Sequence, residues 1–256
     1  MNSELQAQES THRVAIKNIL VLTDFSQRSE IALAFAAQWA QQWGAMIHVA
    51  HFIRPSSYAM AWEAYGPVME RVWEESRTGL AALDAAPVLA GIRHATYLEP
   101  GEIGDGLSPL MRSENIDLVV LASTAGKGLA KALLGSTAEH VFRSVSCPVL
   151  MLGPSSLPPA PGRMPRRLLI ATDFGPAEAH ATGFAFSLAR EVQARVDLLH
   201  VLSLPEGEPA PCTGEVERTE RRLRALIPAG TESCCEPQAI VRIGRPDEEI
   251  VEAAHD

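Results

Sequence analysis

Lys17-Asn18-Ile19-Leu20-Val21-Leu22-Thr23-Asp24-Phe25 is followed, far along the chain, by Arg166-Arg167-Leu168-Leu169-Ile170-Ala171-Thr172-Asp173-Phe174. His51 opens His51-Phe52-Ile53, and His200 opens His200-Val201-Leu202. Asp24 to Asp173 and His51 to His200 give the same offset of 149 residues. Each copy reads as an apolar strand closed by Thr-Asp-Phe, an amphipathic helix and a second apolar strand. A repeat of this length marks two homologous domains rather than a solenoid. The first copy runs on through a glycine-containing loop to a last apolar run, whereas the second ends before its equivalent of that loop.

The expected organisation is therefore a disordered tail over 1–13, a complete domain over 14–153, a Pro-rich linker over 154–164 and an incomplete second copy, strands 1–3 only, over 165–256. Continuous apolar runs such as 16–22 suit strands covered on both faces. Ile31, Phe35, Trp39 and Trp43, spaced by four, form the buried stripe of the next helix, with Gly44 as its C-terminal cap. Further strands are expected at 45–53, 92–98, 117–122 and 147–152, with helices at 67–85 and 102–114. Strands alternating with helices imply an α/β fold with a doubly wound, open, parallel five-stranded sheet; the order 3-2-1-4-5 is the expected one. In the second copy strands fall at 168–171, 196–202 and 238–243, between helices near 177–193 and 215–226.

Composition narrows the function classes. Of 256 residues, 46% are hydrophobic and 21% charged, which supports a packed core. A net charge of −9 opposes nucleic-acid binding, which needs a basic face. No apolar window reaches membrane-span length and the start lacks a signal peptide's pattern, so a cytoplasmic protein is expected. Cys147, Cys212, Cys234 and Cys235 make no CxxC pair, so no metal site is expected. Adjacent cysteines rarely bridge, which leaves the role of Cys234-Cys235 open.

In an open α/β sheet the ligand crevice lies at the strands' C-terminal ends, where the winding reverses. Thr23 and Asp24 close strand 1 there, and Ala122 begins the loop after strand 4. The Asp24 carboxylate can accept from a ribose hydroxyl or a base amino group, or simply cap the next helix. In that loop Ser136 and Glu139 make a capping box, so a helix starts with free N–H groups able to hold an anion. Lys127 and Lys131 are candidate phosphate partners. Gly126-Lys127-Gly128 lacks the Ser or Thr of a Walker A loop.

Taken together, Thr23-Asp24-Phe25-Ser26, His51, Leu133-Leu134-Gly135-Ser136-Thr137-Ala138-Glu139 and Cys147-Pro148-Val149 resemble the universal stress protein family. The resemblance implies an adenine-nucleotide site: Asp24 at the adenosine, Phe52 bordering the adenine through its backbone, Ala125, Gly135, Ser136 and Thr137 along the phosphates, and Thr23, Ala122 and Gly126 among the nucleotide-binding residues. ATP would be the ligand, with Mg2+ only as its companion. ATP-binding relatives carry glycine, two residues, glycine, nine residues, then Gly-Ser or Gly-Thr; here Ala122 and Ala125 replace the first two glycines. A Cβ at Ala125 in left-handed geometry costs on the order of 1–2 kcal/mol, so a weakened site is expected. Phe52 is larger than the aliphatic residue expected beside adenine.

Two functional classes compete: a nucleotide-responsive regulatory module with at most slow ATP hydrolysis, and a stress-response scaffold acting through protein association with a client the sequence does not name. An adenylate-forming enzyme would need a Ser-Gly-Gly loop after strand 1, which is lacking. The family also implies a homodimer through strand 5, with Cys147, Val149, Leu150 and Met151 at the shared edge. The second copy, with Asp173 but no opposite wall, is expected not to hold nucleotide.

Overall fold

A computed structural model describes residues 16–53, 62–123, 136–176, 178–203 and 212–256. Residues 15–163 and 164–256 form two compact units, domain 1 and domain 2.

Domain 1 runs β1 (Asn18–Leu22), α1 (Gln27–Trp43), β2 (Met46–Ile53), α2 (Trp62–Asp84), a short 3-10 turn (Pro87–Leu89), β3 (His94–Pro100), α3 (Ile103–Ser113), β4 (Leu118–Ala122), α4 (Ser136–Ser144) and β5 (Val149–Leu152). Its strands are parallel and ordered 3-2-1-4-5. Side chains alternate along a strand, so β1 is buried on both sides. Leu20 and Leu22 join Leu107, Met111, Val119 and Val141 in one core cluster, while Ile19 and Val21, equally buried, face the other way. Ser26 caps α1, its Oγ accepting from Ser29 N, and Gly44 ends the helix at φ 65. Of the expected stripe only Trp39 is buried, and it meets Trp43 edge-on at 5.1 Å. Ile31, Phe35 and Trp43 are half-buried, and the helix buries Ala32, Leu33, Ala36, Ala37 and Ala40 instead, because the small alanine side chains let the backbone approach the sheet.

Some element ends differ from the sequence reading for local reasons. α2 begins at Trp62, before the expected start at Pro67, and carries that proline inside it. β3 starts at His94, since the Ile92 N–H closes the preceding turn on Leu89. β5 starts at Val149: Pro148 has no N–H to donate to the ladder, although its carbonyl accepts from Val119. Cys147, assigned to the fifth strand from sequence, therefore precedes it. β5 pairs only with β4 among the described residues.

Domain 2 repeats the start of this plan as β6 (Arg167–Ala171), α5 (Glu178–Val192), β7 (Arg195–Ser203), α6 (Thr213–Arg224), α7 (Glu232–Cys235), β8 (Gln238–Gly244) and α8 (Pro246–His255). Its described sheet is three parallel strands, β6-β7-β8. The sequence reading missed the short α7, whose four residues carry no periodicity. Among the described residues no helix is long and apolar enough to cross a membrane.

Candidate functional site: the crevice at the ends of β1 and β4

The Thr-Asp-Phe motif builds the same turn twice. Phe25 and Phe174 both sit in left-handed backbone, at φ 61 and φ 60, an unusual state for a bulky residue. Four contacts impose it in domain 1. The Phe25 N–H donates to Thr23 Oγ1 at 3.0 Å, and the Ser26 N–H donates to Asp24 Oδ1 at 3.0 Å. The Phe25 ring lies 4.4 Å from the His51 ring, and His51 Nδ1 donates to the Thr23 carbonyl at 2.8 Å. Because a carbonyl only accepts, Nδ1 carries the proton. Domain 2 reproduces the set with Phe174 N to Thr172 Oγ1 at 2.9 Å, Gly175 N to Asp173 Oδ1 at 2.8 Å, rings at 4.5 Å and His200 Nδ1 to the Thr172 carbonyl at 2.7 Å. The repeated histidine is thus a clamp on the turn.

Ser26 is the cap of α1, while Asp24 stands two residues before it, exposed at the crevice. Burial pushes its carboxyl up, but hydrogen bonds from Ser26 and Ser29 outweigh that and hold it below the ordinary carboxylate value.

The crevice has a volume of about 210 Å³. Thr23, Asp24, Phe52 and Ala122, four of the residues chosen from sequence, line it together with Arg28 and Ser123. Apolar residues including Ala50, Ile103, Leu121 and Ala138, with the hydroxyl-bearing Ser26 and Ser29, complete its wall. The Phe52 ring is held on α3, where a Cβ added to Gly106 would come within 2.6 Å of it. A glycine on α3 thus makes room for the large side chain on β2. Ser136 and Thr137 open α4, as the capping pattern requires of the backbone. Glu139 pairs with Arg143 at 2.9 Å. Ala125, Gly126, Lys127, Lys131 and Gly135 lie outside the described residues.

Sequence reasoning missed Arg28. Its guanidinium reaches from α1 across the crevice to the Ser123 carbonyl at 2.7 Å. Its place as the second residue of α1, directly after the Thr-Asp-Phe turn at the strand end, was the available signal.

A family model described as the universal stress protein family matches residues 15–153 and again 164–256. The chain belongs to the universal stress protein family. A universal stress protein of Mycolicibacterium smegmatis is 29% identical over 218 residues, covering 82% of this chain and 71% of that one. Universal stress protein A homolog 1 of Coxiella burnetii is 32% identical over 138 residues, 52% of this chain and 94% of that one. Among solved structures, a universal stress protein from Archaeoglobus fulgidus DSM 4304 aligns with a TM-score of 0.57 at 19% identity, covering 93% of this chain and 82% of that one. At that identity the likeness concerns the fold.

The domain 2 crevice of this universal stress protein differs in charge. Thr172, Asp173 and His200 line it as their counterparts do in domain 1, but Glu215 joins them. Ala177 and Glu178 stand in sequence where Arg28 and Ser29 stand in domain 1.

Proposed function

We propose that this universal stress protein is an adenine-nucleotide-responsive regulatory module whose working site is the domain 1 crevice. The observation carrying this reading is the convergence of an ionised Asp24 and the Arg28 guanidinium on a crevice of mixed apolar and hydroxyl-bearing lining at the strand ends. An apolar hollow with a few placed polar groups is the usual form of a small-molecule site. A bound nucleotide would place its base and ribose in the crevice, with the phosphates extending towards the N-terminus of α4. Asp24 would accept from the ribose, Arg28 would offset phosphate charge, and Ser136 and Thr137 would present backbone N–H groups. Arg28 thereby compensates part of what Ala125 removes. His51 already spends its Nδ1 proton on the turn, and no nucleophile–base pair is evident in the crevice among the described residues, so turnover would be slow at most. A cytoplasmic setting and Mg2+ as companion to a bound nucleotide belong to the same reading.

Domain 2 is proposed not to share this role. Asp173 and Glu215 together would repel a triphosphate.

Calorimetric titration with ATP tests the proposal. Wild type should bind with micromolar or weaker affinity, Ala125→Gly more tightly, and Asp24→Ala more weakly. The scaffold reading draws support from Arg28, whose bond to the Ser123 carbonyl spans the space a ligand would enter. It wins if neither wild type nor Ala125→Gly responds to millimolar ATP. The proposed homodimer uses the free side of β5 at Val149, Leu150 and Met151, since an unpaired strand edge invites pairing. Light scattering should find a dimer at tens of micromolar that Leu150→Lys dissociates; a monomer unaffected by that change removes the proposal.

A further inference from the structure

Cys234 and Cys235 end the four-residue α7. Successive residues on a helix do not ordinarily face each other, yet here the two Sγ atoms lie 3.3 Å apart. Their surroundings differ sharply. Cys235 is fully buried in the domain 2 core with Phe186, Ala189 and Leu223, whereas Cys234 is exposed. The Cys234 thiol also reaches the Thr231 carbonyl at 3.4 Å. Burial, with the hydrogen bond to Cys234, pushes the Cys235 thiol up to about 12. One sulfur is therefore open to solvent, and the other waits beneath it as a thiol.

We propose that Cys234-Cys235 is an oxidisable vicinal pair, with Cys234 as the sulfur that meets a peroxide and Cys235 as the one that resolves it. The Cys234 thiolate, the reactive form of a thiol, attacks one peroxide oxygen. The O–O bond breaks, the sulfur becomes a sulfenic acid, and the departing oxygen leaves as water with the thiol's proton. Cys235 Sγ then attacks the Cys234 sulfur, and the hydroxyl leaves as a second water carrying the Cys235 proton. One peroxide is reduced by two electrons and two thiols become one disulfide.

The product is strained. Cα atoms across a trans peptide are about 3.8 Å apart, short of the roughly 4.4–6.8 Å usual for disulfides. Strained disulfides are the readily reduced, labile ones, so thiol reductants should reopen the ring. Closing it draws Cys235 Sγ away from the core. It also disturbs Glu236, which is in left-handed backbone at φ 41 and pairs with Arg195 at 2.9 Å at the start of β7. This site is independent of the domain 1 crevice, so the experiment contains no nucleotide.

The test treats the full chain, carrying Cys147→Ser and Cys212→Ser, with limiting hydrogen peroxide and dimedone, and maps the peptide holding both cysteines by mass. The expected result is loss of two hydrogens without a dimedone adduct, reversed by dithiothreitol. Cys235→Ser should instead accumulate the adduct on Cys234, and Cys234→Ser should lose the reaction. A dimedone adduct on Cys234 in the chain that retains Cys235, or a disulfide formed only between chains, would overturn the proposal.

Discussion

The two domains build one turn from the same four residue types and surround it differently. In domain 1 the Phe25 ring rests on α2 at Gly79, where an added Cβ would lie 2.8 Å away. In domain 2 the Phe174 ring is covered by the Arg222 guanidinium at 3.9 Å, a cation–π contact. Phe52 on β2 needs Gly106 on α3, whereas Val201 stands at the equivalent place on β7 and α8 contains no glycine. The lower ends of the sheets diverge in the same way. His48, buried in domain 1, meets Tyr97 Oη at 2.9 Å and Asn18 Oδ1 at 3.3 Å. At the matching positions of domain 2 an Arg167–Asp197 ion pair closes at 2.8 Å. What is shared is the backbone device, and what varies is the chemistry placed around it.

The largest expected effect comes from breaking the Phe52–Gly106 fit. Gly106→Val should cost domain 1 about 1–3 kcal/mol by overpacking, and combining it with Phe52→Val should recover much of that. Denaturant unfolding of the single and double variants checks the coupling; strict additivity would refute the fit. Next, Asp24→Ala should weaken ATP binding by about tenfold, equivalent to about 1.4 kcal/mol, while Asp173→Ala leaves the titration unchanged. An effect of equal size from Asp173 would erase the distinction between the crevices.

Removing the clamp should affect both domains alike. His51→Ala and His200→Ala each delete a hydrogen bond to the turn carbonyl and a ring contact, at about 1 kcal/mol apiece. Amide exchange local to each turn should report it, and protection unchanged at Phe25 or Phe174 would show that the turn needs no histidine.

The smallest effect is a pH dependence of domain 1. Burial depresses the His48 pKa from 6.5, only partly opposed by the nearby Glu114. Below about pH 6.5 the unfolded chain binds a proton that the folded domain resists, so stability should fall as pH drops through that range and be complete above it. Tyr97, pushed up to about 12 by burial and its hydrogen bond with Glu114, should cost stability as pH rises from about 10 towards 12. His48→Gln should flatten the acid slope. An unchanged slope would assign the acid loss elsewhere.

Much of this was legible in the residues alone. The repeat and the parallel α/β class follow from apolar runs, helical spacing and the Thr-Asp-Phe landmarks. Buried parallel strands must be apolar on both faces, and that leaves a mark in one dimension. Asp24 and Ala122 could be assigned to one crevice because strand ends in this topology converge, whereas Thr23 and Phe52 entered through the family resemblance. Other facts depend on residues far apart in the chain meeting. Nothing local in sequence says that His51 clamps the Thr23 carbonyl, that Gly106 exists to seat Phe52, that Arg28 reaches Ser123, or that one of two adjacent cysteines is buried and the other exposed. Each is a matter of distance and burial, quantities set only when helices pack on the sheet. Sequence determined the scaffold because hydrophobic periodicity is a local signal; the tertiary structure decided the partners because hydrogen bonds and close packing are pairwise and long-range.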